Sequence, residues 1–564
     1  MTLSYLLMRL RPHVEKHAIA LTDPHPSFVL FFSVSDGRRR AETVTATGVD
    51  FAQTWRQGMQ RVTRVAEAKK LKPQWLRVDW VEYCERATWC ELQKRLQETK
   101  RNYFRYGLSL DPSFEHAFLE TELNGNAMLY GGGTISHAVL NTNNFRRYAA
   151  LRHKLTTLEF PEDGEVHVFS SRGVFASTGS TDVHLLQGAG RDAGRREIQQ
   201  LTPRHVRELI SNGSNYLASQ VGEDGIFHYG WHPCFDRPIN SYNSLRHAST
   251  VYAMLEAWEV TREPQLKSAI DRALDRLTTS LITTVRAENK LLSFLVEENS
   301  EIKLGGNAVC LLALVKYSEL TGTEEYLPLL ERLAEGILYM QDKDTGQFSH
   351  VLVFPSLAVK EQFRIIYYDG EAAFGLMRLY GLTADARWIA AVEKAFQYFI
   401  AKQHWKAHDH WLAYCVNELT RYKPNADYYR FGIQNFVDHL NFVIERVTTF
   451  PTLLELMMAA QKMIARLEVD ANNRDILNGL DLGKFYDALH IRAHYLLNGH
   501  FWPELAMFFE NPERITGSYF IRHHAFRVRI DDVEHYLSGF VAYLDYLESG
   551  ADQKLLSLAK HRAA

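Results

Sequence analysis

The chain has 564 residues, 46% of them hydrophobic, which allows two to four domains of about 150 residues and a large core, and excludes a disordered or fibrous protein. Sixty-four Lys and Arg against 67 Asp and Glu leave a formal net charge of −3, so no global positive field draws in nucleic acid or an anionic membrane, and any charged partner is recognised locally. The 24 histidines, with 31 Phe, 27 Tyr and 10 Trp, suit polar, ring-binding sites as well as cores.

The chain opens on MTLSYLLMRLRPHVEK, a short apolar stretch broken by Arg9 and Arg11, with no basic region ahead of it and no small-residue cleavage site; no signal peptide is expected. No apolar run of about 18 residues follows, and the mean hydropathy is −0.26, so no membrane span is expected. Phe28–Val34 reads as a strand that turns at Asp36-Gly37 into a second strand from Glu42 to Thr47. Residues 50–69 read as helix, Trp75–Trp80 as strand, 88–101 as helix and Glu165–Phe169 as strand. Residues 1–195 are thus expected to form an α/β or α+β domain of unknown role, with a surface for a protein partner. The Gly-, Ser- and Asp-rich stretch from Gly173 to Arg196 is expected to mark its boundary.

From residue 196 to 564 the pattern turns helical and repeats. Glu259-Val-Thr, Glu319-Leu-Thr, Gly381-Leu-Thr and Glu418-Leu-Thr each join two helices. An apolar, small-residue-rich helix precedes each Thr (243–260, 306–320, 369–382, 409–419) and an amphipathic one follows it (264–284, 324–341, 385–402, 426–445). Further helices near 203–220, 451–467, 474–497 and 531–548 complete six hairpins. The long, uneven spacing disfavours a solenoid. The alternation predicts a mainly α fold, an (α/α)6 toroid with an apolar inner ring inside an amphipathic outer ring. Three pieces with an aromatic two residues after Gly, at Gly225, Gly346 and Gly517, are expected at one rim.

Polar groups recur where the inner helices start: Asn243 with Arg246 and His247; Asn307 after Gly305 and Gly306; Tyr368, Asp369 and Glu371; His410 and Trp411; Glu455; and Arg529 with Asp531, Asp532 and His535. Asn and Asp at such points are ordinary N-caps, but Arg and His cap poorly and are disfavoured by the positive helix start. Their recurrence predicts a carboxylate- and imidazole-lined cup at one mouth of the toroid. His247, Asp369, Glu371, Asp531, Asp532 and His535 are candidate acids and bases. Tyr229, Tyr242, Asn243, Arg246, Asn307, Tyr368, His410, Trp411, Glu455 and Arg529 are candidate substrate contacts, with the aromatics stacking on sugar faces and the arginines gripping a carboxylate.

Other signals are weaker. Tyr130–Thr134 (YGGGT) lacks the following Lys of a phosphate loop and reads as a turn. The five cysteines, Cys84, Cys90, Cys234, Cys310 and Cys415, make no metal or redox motif and read as reduced, mostly buried thiols of a cytoplasmic protein. His408-x-His410 has no adjacent third ligand, so no metal is expected.

The hairpin repeats of residues 203–548, the Gly-x-Phe-x-Tyr rim piece, the Asn-x-x-Arg-His helix start and the terminal Arg-Ile-Asp-Asp-x-x-His resemble the six-hairpin (α/α)6 carbohydrate-active superfamily. It includes uronyl C5-epimerases, N-acylglucosamine 2-epimerases and unsaturated glucuronyl hydrolases. The resemblance implies general acid/base chemistry at one mouth of the toroid on a sugar or glycan, an acidic one by this reading, with no cofactor. Epimerisation is preferred; a glycoside hydrolase of the same fold and a non-catalytic glycan-binding or assembly protein are the alternatives.

Overall fold

The computed structural model describes residues 2–550; Met1 and residues 551–564, the tail of the expected 196–564 segment, lie outside the described residues. The N-terminal part opens with α1 (Leu3–His17), β1 (Phe28–Ser35), β2 (Glu42–Gly48), α2 (Phe51–Ala68), β3 (Trp75–Thr88) and α3 (Trp89–Gln97). It continues with β4 (Gly107–Ser109), β5 (Ala117–Phe118), α4 (Glu120–Gly125), α5 (Thr142–His153), β6 (Glu165–Ser177) and β7 (Val183–Leu185). The strands form one antiparallel sheet in the order β2-β1-β3-β6-β4-β5, with β7 also on β6. Successive β1 side chains point to opposite faces. Leu30, Phe32 and Val34 pack with Leu6 and Leu10 of α1 and Trp55 and Val62 of α2, whereas Val29 and Phe31 face Met507 and Phe508 from the helical part. Covered on both faces, β1 reads as an unbroken apolar run.

The expected boundary stretch from Gly173 to Arg196 is structured at both ends. Gly173–Ser177 completes β6, β7 adds a strand, and Leu186 bridges to Arg196. Strands this short, separated by Gly and Ser turns, leave no periodicity to read. The YGGGT segment is a turn, with the Arg101 guanidinium donating to the carbonyls of Gly132 and Gly133.

The helical part comprises α6 (Pro203–Gln220), β8 (Gly230–His232), β9 (Arg237–Pro238), α7 (Ser244–Thr261), α8 (Pro264–Arg276), β10 (Ile282–Ala287), β11 (Lys290–Leu295), β12 (Glu301–Lys303) and α9 (Leu304–Thr321). It proceeds through α10 (Leu327–Tyr339), β13 (Val351–Val353), β14 (Ala358–Glu361), α11 (Tyr367–Thr383), α12 (Ala386–Ala401), α13 (His410–Tyr422), α14 (Ala426–Gln434) and α15 (Leu440–Glu445). It ends with α16 (Thr452–Val469), α17 (Leu482–Tyr495), α18 (Pro503–Ala506), α19 (Pro512–Ile515), β15 (Val528–Arg529) and α20 (Ile530–Glu548). Helix α7 packs on α9, α9 on α11, α11 on α13, α13 on α16, α16 on α20, and α20 back on α7. The ring is closed, and with α6, α8, α10, α12, α14 and α17 outside it the fold is an (α/α)6 toroid.

The inner helices are buried nearly all round, as Leu304–Val315 of α9 is, while outer helices such as α8 bury one face. Thr261, Thr321 and Thr383 are the last residues of α7, α9 and α11, and each is followed by a left-handed residue, Arg262, Gly322 or Ala384, that turns the chain outward.

Three expected helices differ. The 264–284 segment is α-helical to Arg276, makes a π-turn over Leu277–Leu281 and becomes β10 at Ile282; 426–445 breaks between α14 and α15; and 474–497 opens with a short 3-10 turn, so that α17 starts only at Leu482. The Gly-aromatic pieces are single bridges, Val221 to Phe227, Gln341 to Phe348 and His500 to Tyr519. Gly225 and Gly346 have φ of 75° and 79°, and a Cβ on them would meet the carbonyls of Arg272 and Lys394 at 2.3 and 2.4 Å, so only glycine fits.

The sheet and the toroid are held by charge as well as apolar packing. Arg77 donates to the Glu504 carbonyl at 2.9 Å, Arg196 pairs with the Glu504 carboxylate at 2.7 Å, and Arg40 pairs with Glu510 at 2.8 Å. Among the described residues no helix is long and apolar enough to cross a membrane.

Candidate active site at the toroid mouth

All six inner helices present their N-termini to the same end, because neighbouring starts touch in turn around the ring. Arg246 of α7 reaches Asp531 and Glu534 of α20 at 3.5 and 3.7 Å. His535 of α20 lies 2.9 Å from Glu455 of α16, and its ring stands 5.3 Å from that of His410 of α13. The His410 ring is 5.5 Å from Tyr367 of α11, and α11 meets α9 where Glu371 and Tyr368 crowd Gly305. The long connections carrying the small sheets also gather at this end.

Glu371 is buried, and its Oε2 has no hydrogen-bond partner. Burial raises its pKa to about 8 against the pull of Arg246, with Asp409 adding to the rise. It therefore holds a proton at neutral pH. The carboxylate is accommodated only because residue 305 is glycine: a Cβ there would sit 1.9 Å from Oε2.

His410 turns Nδ1 toward Asp409 at 3.2 Å, and its buried Nε2 has no partner. Asp409 is fixed by accepting from the Leu412 N–H at 2.8 Å, and its backbone N–H donates to Asn435 at 3.1 Å.

Glu455 accepts from the Tyr414 hydroxyl at 3.1 Å on one oxygen and contacts His535 Nδ1 on the other. Burial raises the Glu455 pKa to about 7, and burial with Arg246 lowers that of His535 to about 4. The site thus inverts their ordinary order of proton affinity, so that of the two Glu455 holds a proton more firmly than His535. Four buried polar atoms, on Glu371, Asp409, His410 and Asp531, lack partners within this one region, whereas buried polar atoms are ordinarily satisfied.

The arginines are already paired. Arg529 lies 2.9 Å from Asp531 and 3.0 Å from Asp532. Burial opposes the charge on Arg246, but Asp531, Glu534 and Glu371 outweigh it and hold its pKa above the ordinary value. Glu534 accepts from the hydroxyls of Ser249 at 2.8 Å and Thr250 at 2.7 Å, and burial holds its pKa well above normal. Asp531 is also raised, by burial and then by Asp532.

Beside this floor Tyr229, Trp231 and Tyr242 line a cavity of about 320 Å³. Burial, then Asp531, pushes the Tyr229 phenol up to about 12. A larger cavity of about 870 Å³ opens at the other end of the ring, lined by Tyr252, Glu256, Arg378 and Tyr414. Tyr414 joins the two ends through its bond to Glu455.

The structure thus brings Arg246, Glu371, His410, Glu455, Arg529, Asp531, Asp532 and His535 together, with Tyr229 and Tyr368 at the edge. It does not bring the other candidates. His247 accepts from the Tyr242 hydroxyl at 2.7 Å on Nδ1 and donates to the Ala273 carbonyl at 2.8 Å through Nε2, so it and Tyr242 pin α7 to its surroundings. Asn243 caps α7 by accepting from the Arg246 N–H at 3.1 Å. Asn307 spends both ends of its amide on the backbone of Leu295 and Lys303. Asp369 faces His350 and His404 at 3.3 and 3.9 Å. Trp411 is 4% exposed and packs against Phe374 and Tyr414 in the core.

Four residues of the site were not among the sequence candidates: Tyr367, Asp409, Tyr414 and Glu534. Helical spacing carries the signal for three of them, since Tyr367 and Glu371, His410 and Tyr414, and Asp531 and Glu534 stand three or four residues apart on one face. His410, Glu455 and His535 each offer a ligand atom within 4.8 Å of the others, a donor set for a divalent metal as well as a proton relay. Of the His408-x-His410 pair only His410 belongs to this set, and its other two members come from α16 and α20. His408 itself turns away to the Asn435 carbonyl and stacks on His439.

No family model and no curated protein matches the chain. Solved structures that it resembles include a D-mannose isomerase, at 10% identity over 62% of this chain and 100% of that one, with a TM-score of 0.48. A cellobiose 2-epimerase from Bacillus thermoamylovorans B4167 is 10% identical over 61% of this chain and 99% of that one, with a TM-score of 0.46. The α-1,6-mannanase from Salegentibacter sp. HEL1_6 is 11% identical over 61% and 99%, with a TM-score of 0.42.

Proposed function

We propose that the toroid mouth is the active site of a carbohydrate-active enzyme that moves a proton at a sugar carbon, as an epimerase or isomerase does. The observation that carries this reading is the meeting of Glu455 and His535 at 2.9 Å beside the unpartnered Nε2 of His410 and Oε2 of Glu371. Removal of a proton from a carbon beside a carbonyl needs a base on that proton and an acid on the oxygen that gains charge. His535, with Glu455 behind it, and His410, beside Asp409, supply two imidazoles for these tasks, and protonated Glu371 supplies a donor. Tyr229 and Trp231 offer faces on which a sugar ring stacks.

The substrate we propose is a neutral sugar. Arg246 and Arg529 already lie against the carboxyl groups of Asp531, Asp532 and Glu534, so neither is free to grip the carboxylate of the acidic sugar expected from the sequence. A glycoside hydrolase is the second reading, favoured by the raised pKa of Glu371, which suits an acid that protonates a leaving oxygen. Product analysis across reducing monosaccharides and disaccharides separates the two. An epimerase or isomerase yields a sugar of unchanged mass, and a hydrolase yields shorter sugars with new reducing ends. Release of new reducing ends with no isomer formed would overturn the first reading.

A further inference from the structure

A second cluster lies outside the toroid, on the N-terminal sheet. His25, in the loop before β1, Cys84 on β3 and His167 on β6 place one ligand atom each within 4.8 Å of one another. The register produces this. Cys84 pairs with Phe169 and Arg86 with His167, so Cys84 and His167 are diagonal neighbours on one face of the sheet. The loop carries His25 over them, its ring 5.3 Å from that of His167 and perpendicular to it.

Two observations mark these residues as ligands rather than packing. His167 is 2% exposed, yet neither ring nitrogen has a hydrogen-bond partner, an expensive state for a buried imidazole unless something binds it. The Nδ1 of His25 lies 3.0 Å from the Pro112 carbonyl, and since a carbonyl only accepts, Nδ1 carries the proton and Nε2 keeps a free lone pair. This is the outer-shell bond that orients metal-binding histidines. Cys84 is a free thiol, and Cys84 and His25 are both partly exposed, which leaves a path for an ion to enter.

We propose that His25, Cys84 and His167 form a metal site for a soft divalent ion of the zinc class, with water in the fourth position. Tetrahedral zinc holds N and S ligands roughly 3.5 Å apart, and since the three ligand atoms already lie within 4.8 Å of one another, only a small closure is needed on binding. The ion ties the loop before β1 to β3 and β6.

The test uses the reduced full-length protein, stripped with chelator and titrated with Co(II) as a spectroscopic stand-in for zinc. One equivalent should give a thiolate-to-cobalt charge-transfer band that Zn(II) abolishes. The toroid cluster of His410, Glu455 and His535 contains no sulfur and cannot produce such a band. Cys84→Ser should remove it, and His167→Asn should weaken cobalt binding by at least about tenfold. Because a β-strand substitution can impair folding, His25→Ala, in a loop, gives an independent arm and should weaken binding similarly. No band in the wild-type protein, a band that survives Cys84→Ser, or unchanged affinity in His25→Ala would overturn the proposal.

Discussion

Nδ1 of His535 lies 2.9 Å from Oε2 of Glu455, joining two inner helices across 80 residues of sequence. The carboxylate sets both the orientation of the imidazole and the ring nitrogen that carries its proton, so its effect should be on turnover rather than on substrate binding. Glu455→Gln keeps the shape and removes the charge. Its kcat should fall about 10²–10⁴-fold with little change in KM, measured by steady-state kinetics on whichever sugar the protein turns over. A rise in KM at unchanged kcat would make Glu455 a substrate contact instead.

Gly305 marks where α9 yields space to α11. A Cβ at this position would lie 1.9 Å from Glu371 Oε2 and 2.5 Å from the Tyr368 ring, so Gly305→Ala must displace both side chains. A shift of about 1 Å in a reacting group costs roughly 10²-fold in rate. The variant should stay folded by circular dichroism and lose about that much activity. Activity within a factor of about two of wild type would show that the Glu371 position is unimportant.

The pH dependence of stability should expose the buried acids. Glu371 rises from 4.5 to about 8 and Glu455 from 4.5 to about 7 on folding. Between those values the folded state binds more protons than the unfolded one, so their contribution is fully present below pH 4.5 and lost as pH rises through 7 and 8. His535 falls from 6.5 to about 4, so its contribution is present above pH 6.5, is lost as pH falls through 4, and opposes the acids between about pH 4.5 and 6.5. Above pH 6.5 the acids act alone. Glu371→Gln should therefore stabilise the protein more at pH 8.5 than at pH 6.5, by on the order of 2 kcal/mol, in urea melts at the two pH values. An equal effect at both would mean that Glu371 ionises normally.

His247 separates a structural role from a chemical one. With both nitrogens engaged by Tyr242 and Ala273, and burial lowering its pKa to about 4, it is held neutral away from the cup. His247→Ala should cost about 1–3 kcal/mol through the unpaired groups it leaves, while kcat per folded molecule stays near wild type. A kcat loss as large as that of Glu455→Gln, without loss of stability, would return His247 to the reacting groups.

The toroid was legible because its inner and outer helices differ in composition throughout their length and because hairpin junctions repeat. The inner-helix boundaries expected near Asn243 and Asp531 lie within two residues of those observed at Ser244 and Ile530. The sheet was less legible. Strands β4, β5 and β7 have two or three residues each and take their conformation from long-range pairing that leaves no local period. In the site, the Arg and His residues that are poor helix caps were mostly informative, as Arg246, His410, Arg529 and His535 show. His247 misleads because the residue beside Arg246 points to another face of the helix, and Asn307 because an amide bound to backbone reads in sequence like one awaiting a ligand. Tyr414 and Glu534 become visible only when positions three and four residues from a candidate are read as one face.

The central claim is that Glu455 and His535 move a proton on and off a sugar carbon. It is tested most directly by incubating the wild-type protein and His535→Asn with a panel of reducing sugars in deuterium oxide and reading carbon-bound deuterium by mass spectrometry and NMR. Deuterium at one stereocentre in the wild-type reaction, reduced at least about 10²-fold in the variant, is the predicted result. Turnover with no carbon-bound deuterium, or exchange that His535→Asn leaves unchanged, would contradict it.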